Sequence, residues 1–213
     1  MEKGRIIVIT DIHGEFEKFQ SLLGKIAPTP CDEFVFLGDY IDRGKNPRAV
    51  IDKVIEISKT HKCTCLKGSH EYAYLHARMG EEYYKFLFWN YGGVETAECY
   101  GGFDEIYKVH GEFFEGLLPY YFTDKYLFIH AGIRPNIPFD KQDERDFYYI
   151  RWDFINNKHN LPQKIIFGHT DFDKVQIQTD KICIDTGCGK YPNAHLTGMI
   201  IYSDGTENFV ESL

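Results

Sequence analysis

The feature that most constrains this chain is a repeated junction. A short apolar run ends, time after time, in a polar segment built from Asp, His and Gly. Arg5–Thr10 runs into Asp11-Ile12-His13-Gly14, and Phe34–Leu37 into Gly38-Asp39-Tyr40-Ile41-Asp42-Arg43-Gly44. Cys63–Lys67 meets Gly68-Ser69-His70-Glu71, Tyr126–Ile129 meets His130-Ala131-Gly132, and Ile165–Phe167 meets Gly168-His169-Thr170. Apolar runs of this length, bounded by such punctuation, read as buried strands. Helical patterns separate the first three. Glu15–Ile26 carries Phe16, Phe19, Leu22, Leu23 and Ile26 on one face, and Pro47 opens a second helix to about Lys59 with Val50, Val54, Ile55 and Ile57. The β-α-β-α-β order predicts an α/β core of parallel strands with right-handed crossovers.

From Glu71 to about Leu118 the pattern predicts several short helices broken at Gly92-Gly93 and Gly101-Gly102. The final third returns to strands, with Val175–Gln178, Ile182–Ile184 and Thr197–Tyr202 added to those above. Ser203-Asp204-Gly205 reads as a hairpin turn into Thr206–Val210. Arg134–Asp146 reads as a long surface loop. No repeat, low-complexity tract or linker interrupts the 213 residues, so residues 1–213 are expected to form a single catalytic domain.

The net charge of −8 and the lack of any Lys/Arg run argue against a nucleic-acid partner. Any phosphate must therefore be bound by a local reversal of charge, which divalent cations could supply. Met1–Lys3 leads straight into a short apolar run, with no stretch of signal-peptide or membrane-span length. The six cysteines show no paired metal spacing. Cys63 and Cys65 lie two apart in a strand and point the same way without forming a C-x-x-C clip. Reduced thiols in a cytoplasmic protein are the expectation.

In open α/β sheets the ligand crevice lies outside the carboxyl ends of the strands. The five junctions would deliver carboxylates and imidazoles to one rim. Oxygen and nitrogen donors without thiolate suit Mn²⁺, Fe or Zn²⁺. Asp11 and His13, two apart in extended chain, can face one ion, and a carboxylate such as Asp39 can bridge two ions about 3.5–4 Å apart. A lone Asp at a strand end is usually a cap, and a lone His usually a satisfied surface or core residue. Five such segments in register are hard to explain as independent caps. His61, His76, His110, His159 and His195 lack this setting and are read as ordinary.

The motifs D-x-H-G, G-D-Y-I-D-R-G and G-[N]-H-E resemble those of the phosphoprotein phosphatase family of calcineurin-like metallophosphoesterases, above all its bacterial and phage serine/threonine branch. Tyr91-Gly92-Gly93 with Thr96 and Tyr100-Gly101, Phe128–Ile133, Tyr149-Ile150-Arg151, Phe167–Thr170 and Ile184–Gly187 extend the likeness over about residues 5–205. The resemblance implies a two-sheet sandwich flanked by helices, two divalent metal ions with Mn²⁺ favoured, and a phosphorylated protein or peptide as substrate. It implies that Asp11, His13 and Asp39 hold the first metal, and Asp39, His130 and His169 the second. Arg43 and Arg151 would grip the phosphate, His70 would protonate the leaving alkoxide, and Asp42 would orient His70. A metal-bridging water would attack phosphorus. Arg43 pairing with a carboxylate, Arg151 on a surface helix and Asp42 as a turn residue are the plainer alternatives. Glu71 is read as a helix-start residue rather than a ligand.

One position departs from the pattern. Ser69 stands where the family has Asn, and its shorter side chain predicts a weak or water-mediated contact to the second metal. Two other functions stay open: hydrolysis of dinucleoside polyphosphates, and a weakly active or dead phosphate-binding relative. Substrate choice would fall to the aromatic segments Tyr72–Tyr91 and Arg134–Tyr149, with Phe86, Phe88 and Trp89 assigned to the core.

Overall fold

The computed structural model describes residues 4–213; Met1–Lys3, on which the expectation for the N-terminus partly rests, lie outside them. Two five-stranded mixed sheets form the centre. The first is built from β1 (Ile6–Ile9), β2 (Glu33–Phe36), β3 (Lys62–Cys65), β9 (Thr197–Ile201) and β10 (Glu207–Glu211), ordered β10-β9-β1-β2-β3. β1, β2 and β3 are parallel, as the β-α-β-α-β reading requires, while β9 runs antiparallel to β1 and β10 antiparallel to β9. The second sheet has the order β4-β5-β6-β8-β7, from Tyr120–Phe122, Tyr126–Ile129, Lys164–Phe167, Lys181–Cys183 and Gln176–Ile177.

Strand periodicity explains the layering, because successive side chains point to opposite faces. Val8, Val35, Tyr126, Phe128, Ile166 and Met199 form the apolar layer between the sheets. Their neighbours Ile7, Ile9, Phe34 and Phe36 turn outward onto α1 (Phe16–Ile26), α2 (Pro47–Ser58) and the helices that follow β3. Leu127 and Ile129 turn outward onto α7 (Glu144–Tyr149) and α8 (Trp152–Ile155). Both faces of each parallel run are covered, which is why these strands read as unbroken apolar runs.

The middle segment forms α3 (Ser69–Arg78), α4 (Glu82–Asn90), α5 (Gly93–Tyr100) and α6 (Phe103–Glu115). The breaks fall at the expected glycines: Gly92 at φ 108° and Gly101 at φ 83° occupy the left-handed region that favours Gly. The hairpin turn is also found, with Gly205 N donating to Tyr202 O at 2.9 Å.

The structure adds to or corrects three readings. The surface segment Arg134–Asp146 also holds a 3₁₀ turn at Phe139–Lys141 and the start of α7, and Arg134 clamps Asp146 with two hydrogen bonds of 2.9 and 2.8 Å. Tyr120–Phe122 adds the edge strand β4, too short to show a pattern in sequence. Phe86 and Trp89 are not core residues, being 58% and 42% exposed, whereas Phe88 is buried. The helical phase decides this. Tyr84 and Phe88, four apart, occupy the buried stripe of α4 and turn Phe86 and Trp89 away from it.

Candidate active site

The carboxyl ends of β1, β2, β3, β5 and β6 meet along one rim, and each contributes its polar junction. Asp11, His13, Asp39, Asp42, Ser69, His70, His130 and His169 are all buried there. The local backbone is unusual. Of the eight non-glycine residues at positive φ among the described residues, six are Asp11, His13, Asp39, Asp42, Arg43 and His169. Each such residue costs of order 1–3 kcal/mol, and strain of this kind gathers where the surroundings over-determine a functional geometry. Close approach demands glycine as well: a Cβ on Gly168 would collide with Asp11 Oδ2, and one on Gly68 with Asp39 Oδ1.

The imidazoles are aimed by their outer nitrogens. His13 donates from Nδ1 to Ile41 O at 3.1 Å, and His130 from Nδ1 to Leu37 O at 3.0 Å. Both present Nε2 lone pairs inward. His13 Nε2 lies 3.7 Å from Asp11 Oδ1 and 3.7 Å from Asp39 Oδ2, and His130 Nε2 lies 3.5 Å from Asp39 Oδ2. Two sets, His13-Asp39-His70 and Asp39-His130-His169, each bring one ligand atom per residue within 4.8 Å of one another. Asp39 belongs to both, and the first set carries His70 where the sequence reading has Asp11.

The donor set fits divalent cations on one observation. Among the described residues, His130 Nε2 and His169 Nε2 are the buried side-chain polar atoms without a hydrogen-bond partner. Leaving such an atom unsatisfied costs about 1–3 kcal/mol. The His130 atom faces Asp39 Oδ2, and His169 belongs to the same ligand set, which gives the group the chemistry of a metal site.

Electrostatics agree. Burial, and then the neighbouring His130 and Arg151, hold His169 well below its usual range and keep its imidazole neutral. Burial and then Arg43 lower His13 likewise. Burial would raise Asp39, yet the surrounding histidines outweigh it and keep the carboxylate ionised. Asp11 is held down in the same way, with its Oδ2 accepting from Thr10 Oγ1 at 2.5 Å and from His169 N at 3.1 Å.

His70 is wired differently. Its Nδ1 lies 2.6 Å from Asp42 Oδ2, and its Nε2 faces Arg43 Nη2 at 3.2 Å. Burial would lower its pKa, but Asp39 and then Asp42 reverse the sign and raise it. Ser69 Oγ donates to Asp39 Oδ2 at 3.3 Å. Arg43, His70 and Arg151 line one cleft of about 210 Å³. Arg151 stands at the N-cap of α8 and donates to His169 O at 3.2 Å.

The calcineurin-like phosphoesterase family matches residues 4–205. The chain belongs to that family. A PP2A-like serine/threonine-protein phosphatase of Saccharomyces cerevisiae is 27% identical over 135 residues, covering 62% of this chain and 34% of its own length. This phosphoesterase thus spans about a third of that relative. Its fold is shared with a Saccharomyces cerevisiae protein serine/threonine phosphatase similar to human PP5 (TM-score 0.71, 17% identity, 100% of this chain and 80% of that one). It is shared equally with a structure assigned to a diadenosine tetraphosphatase (TM-score 0.70, 19% identity, 99% and 95%).

Thr96 carries no role in the sequence reading, and Glu71 only that of a helix-start residue. Thr96 holds Asp42 through two hydrogen bonds. Glu71 stands in the first turn of α3 and accepts from the backbone N–H groups of Gly68, Asp39, Tyr40 and Ile41 at 2.8–3.3 Å. Burial, then Asp39, push Glu71 up to about 8, while those donors favour its ionised form. Glu71 therefore ties the β2 and β3 junctions together. Of the histidines read as ordinary, His110 bonds Tyr100 and Asp52, and His159 bonds Asp180, away from the site.

Proposed function

We propose that this phosphoesterase hydrolyses phosphoserine and phosphothreonine esters in proteins. The supporting observation is the placement of two unpartnered imidazole nitrogens around Asp39, beside a His70–Asp42 pair and two arginines in one cleft. Asp11, His13 and Asp39 would hold one divalent cation, and Asp39, His130 and His169 a second. Cations held there, Mn²⁺ or else Fe or Zn²⁺, supply Lewis-acid polarisation of the phosphate and lower the pKa of water.

The chain's own groups do the rest. Arg43 and Arg151 offer planar guanidinium groups that match phosphate oxygens two at a time. Arg43 must leave His70 Nε2 to take up the phosphate, which frees that nitrogen to carry a proton. His70 then donates from Nε2 to the departing alkoxide, while Asp42 holds Nδ1–H and stabilises the imidazolium. Ser69 spends its hydroxyl on Asp39, which supports a weakened second metal site.

The test is turnover of a phosphothreonine peptide, p-nitrophenyl phosphate and diadenosine tetraphosphate across a Mn²⁺ titration. Metal-dependent turnover of the peptide, exceeding that of the dinucleotide, is expected. Dinucleotide turnover with an inert peptide would replace this reading with dinucleoside polyphosphate hydrolysis.

A further inference from the structure

The cleft that holds Arg43, His70 and Arg151 has an apolar side. Tyr83, Leu87 and Tyr91 line it together with those three residues. Tyr83 and Leu87 lie four apart on α4, and Tyr91, four further on, is its C-cap. Residues at this spacing share one helical stripe. The buried stripe of α4 is Tyr84 and Phe88, and Leu87 is half-buried against the same core, so Tyr83 and Tyr91 are the members of the cleft-facing stripe that do not hold the helix on the core. Tyr83 and Tyr91 are 57% and 56% exposed.

The stripe is also fixed relative to the phosphate site. Arg43 N donates to Gly92 O at 3.1 Å, which pins the end of α4 to the strained loop that carries Arg43. A Cβ at Gly92 would collide with Arg43 N, so only glycine permits the approach. The ring of Tyr91 therefore stands one residue from a backbone bonded to a phosphate-gripping arginine.

Cleft size limits what enters. Its volume of about 210 Å³ is below the ~300–1,000 Å³ of sites that enclose a whole drug-sized ligand. A phosphate and one adjoining group fit, and the remainder of the substrate stays outside. Tyr83, Leu87 and Tyr91 bring no charge to their side, so that group is apolar.

We infer that Tyr83, Leu87 and Tyr91 form a subsite for an aromatic or large aliphatic side chain flanking the phosphorylated residue of a peptide. This rests on the protein phosphatase reading above and names which phosphopeptides that site selects. Burying one ring against the stripe gives about a ten-fold preference, since one such contact is worth ~1.4 kcal/mol.

The experiment measures kcat/KM for phosphothreonine peptides carrying Phe, Ala or Asp at each near flanking position. One position is expected to favour Phe over Ala by about ten-fold. That ratio should fall towards one in Tyr83→Ala and Leu87→Ala and be kept in Tyr83→Phe, which retains the ring. Thermal midpoints of all variants check folding, and exposure of Tyr83 makes its replacement the safer of the two. Equal kcat/KM across the peptides, or a Phe preference untouched by both Ala variants, would overturn the subsite while leaving the phosphatase reading standing. Turnover of diadenosine tetraphosphate with none of any peptide would instead remove the reading beneath it and the peptide subsite together.

Discussion

Thr96 and Asp42 are joined twice: the Asp42 N–H donates to Thr96 Oγ1 at 2.8 Å, and the Thr96 hydroxyl donates back to Asp42 Oδ1 at 2.6 Å. The pair links α5 to the loop after β2. It holds Asp42 at φ 71° and leaves Oδ2 free for His70 Nδ1. Thr96→Val keeps the shape and deletes the hydroxyl. It is expected to lower kcat about ten-fold through loss of His70 orientation, less than the ~10²–10⁴ that general-acid catalysis itself contributes. The loss should be large for alkyl phosphates and small for p-nitrophenyl phosphate, whose leaving group needs little protonation. A uniform loss across both substrates would point to a structural role for Thr96 alone.

His70→Asn carries the same logic to the acid itself. Turnover of phosphothreonine peptides should fall about 10²–10⁴-fold, and that of p-nitrophenyl phosphate by much less. Plotting log kcat against leaving-group pKa for wild type and variant provides the check. Parallel lines would exclude His70 as the proton donor.

Chelation should destabilise the protein as well as silence it. Removing cations with EDTA exposes the cost of the unpartnered His130 and His169 nitrogens. Restoring Mn²⁺ at a hundred times its dissociation constant should regain about 2.7 kcal/mol, read as a rise in thermal midpoint. His130→Ala should show a smaller rise. Ser69→Asn should raise turnover at low Mn²⁺, and a calorimetric titration showing two equally tight sites in the wild type would count against the weakened second site.

Glu71→Gln tests the tie between the β2 and β3 junctions. Each Glu71 oxygen accepts two backbone N–H groups, and a Gln amide would turn donors towards two of them. A loss of about 2–4 kcal/mol in denaturant unfolding is expected, above the cost of a single unsatisfied neutral group. An unchanged midpoint would mean that the loops hold their shape without it.

Arg5 and Asp32 supply a pH signature remote from the site. Burial would raise Asp32, but the Arg5 guanidinium at 2.6 Å, with the N–H groups of Thr29 and Arg5, holds its carboxyl well below the usual range. A carboxyl depressed on folding stabilises the native state above its unfolded pKa and loses that contribution as pH falls through the folded one. Asp32→Asn should therefore cost about 1.5–3 kcal/mol at pH 7. The gap to wild type should narrow only below about pH 4, the unfolded value. A gap independent of pH would show that the carboxylate charge is not what matters.

The sequence by itself determined the parts of this protein that depend on local chemistry. Unbroken apolar runs named β1, β2, β5 and β6, and the Asp, His and Gly that follow them named the candidate site, because these side chains suit metal and phosphate wherever a strand ends. Glycines marked the ends of α4 and α5, since Gly92 and Gly101 sit where other residues are strained. Elements stabilised by partners distant in the chain were hidden. β4 is three residues long, and the Arg134 clamp on Asp146 holds a segment that reads as a loop. Only the tertiary structure decided which stripe of α4 faces the cleft, because Tyr84 and Phe88 bury equally well in any helix of that composition. It alone showed that Thr96 is the partner of Asp42 across 54 residues, and that His130 and His169 keep an unpartnered nitrogen each beside Asp39. The placement of His130 and His169 beside Asp39 depends on where the second sheet docks against the first. No local pattern encodes that docking, because it comes from the apolar layer of Val8, Val35, Phe128 and Ile166 that both sheets bury together.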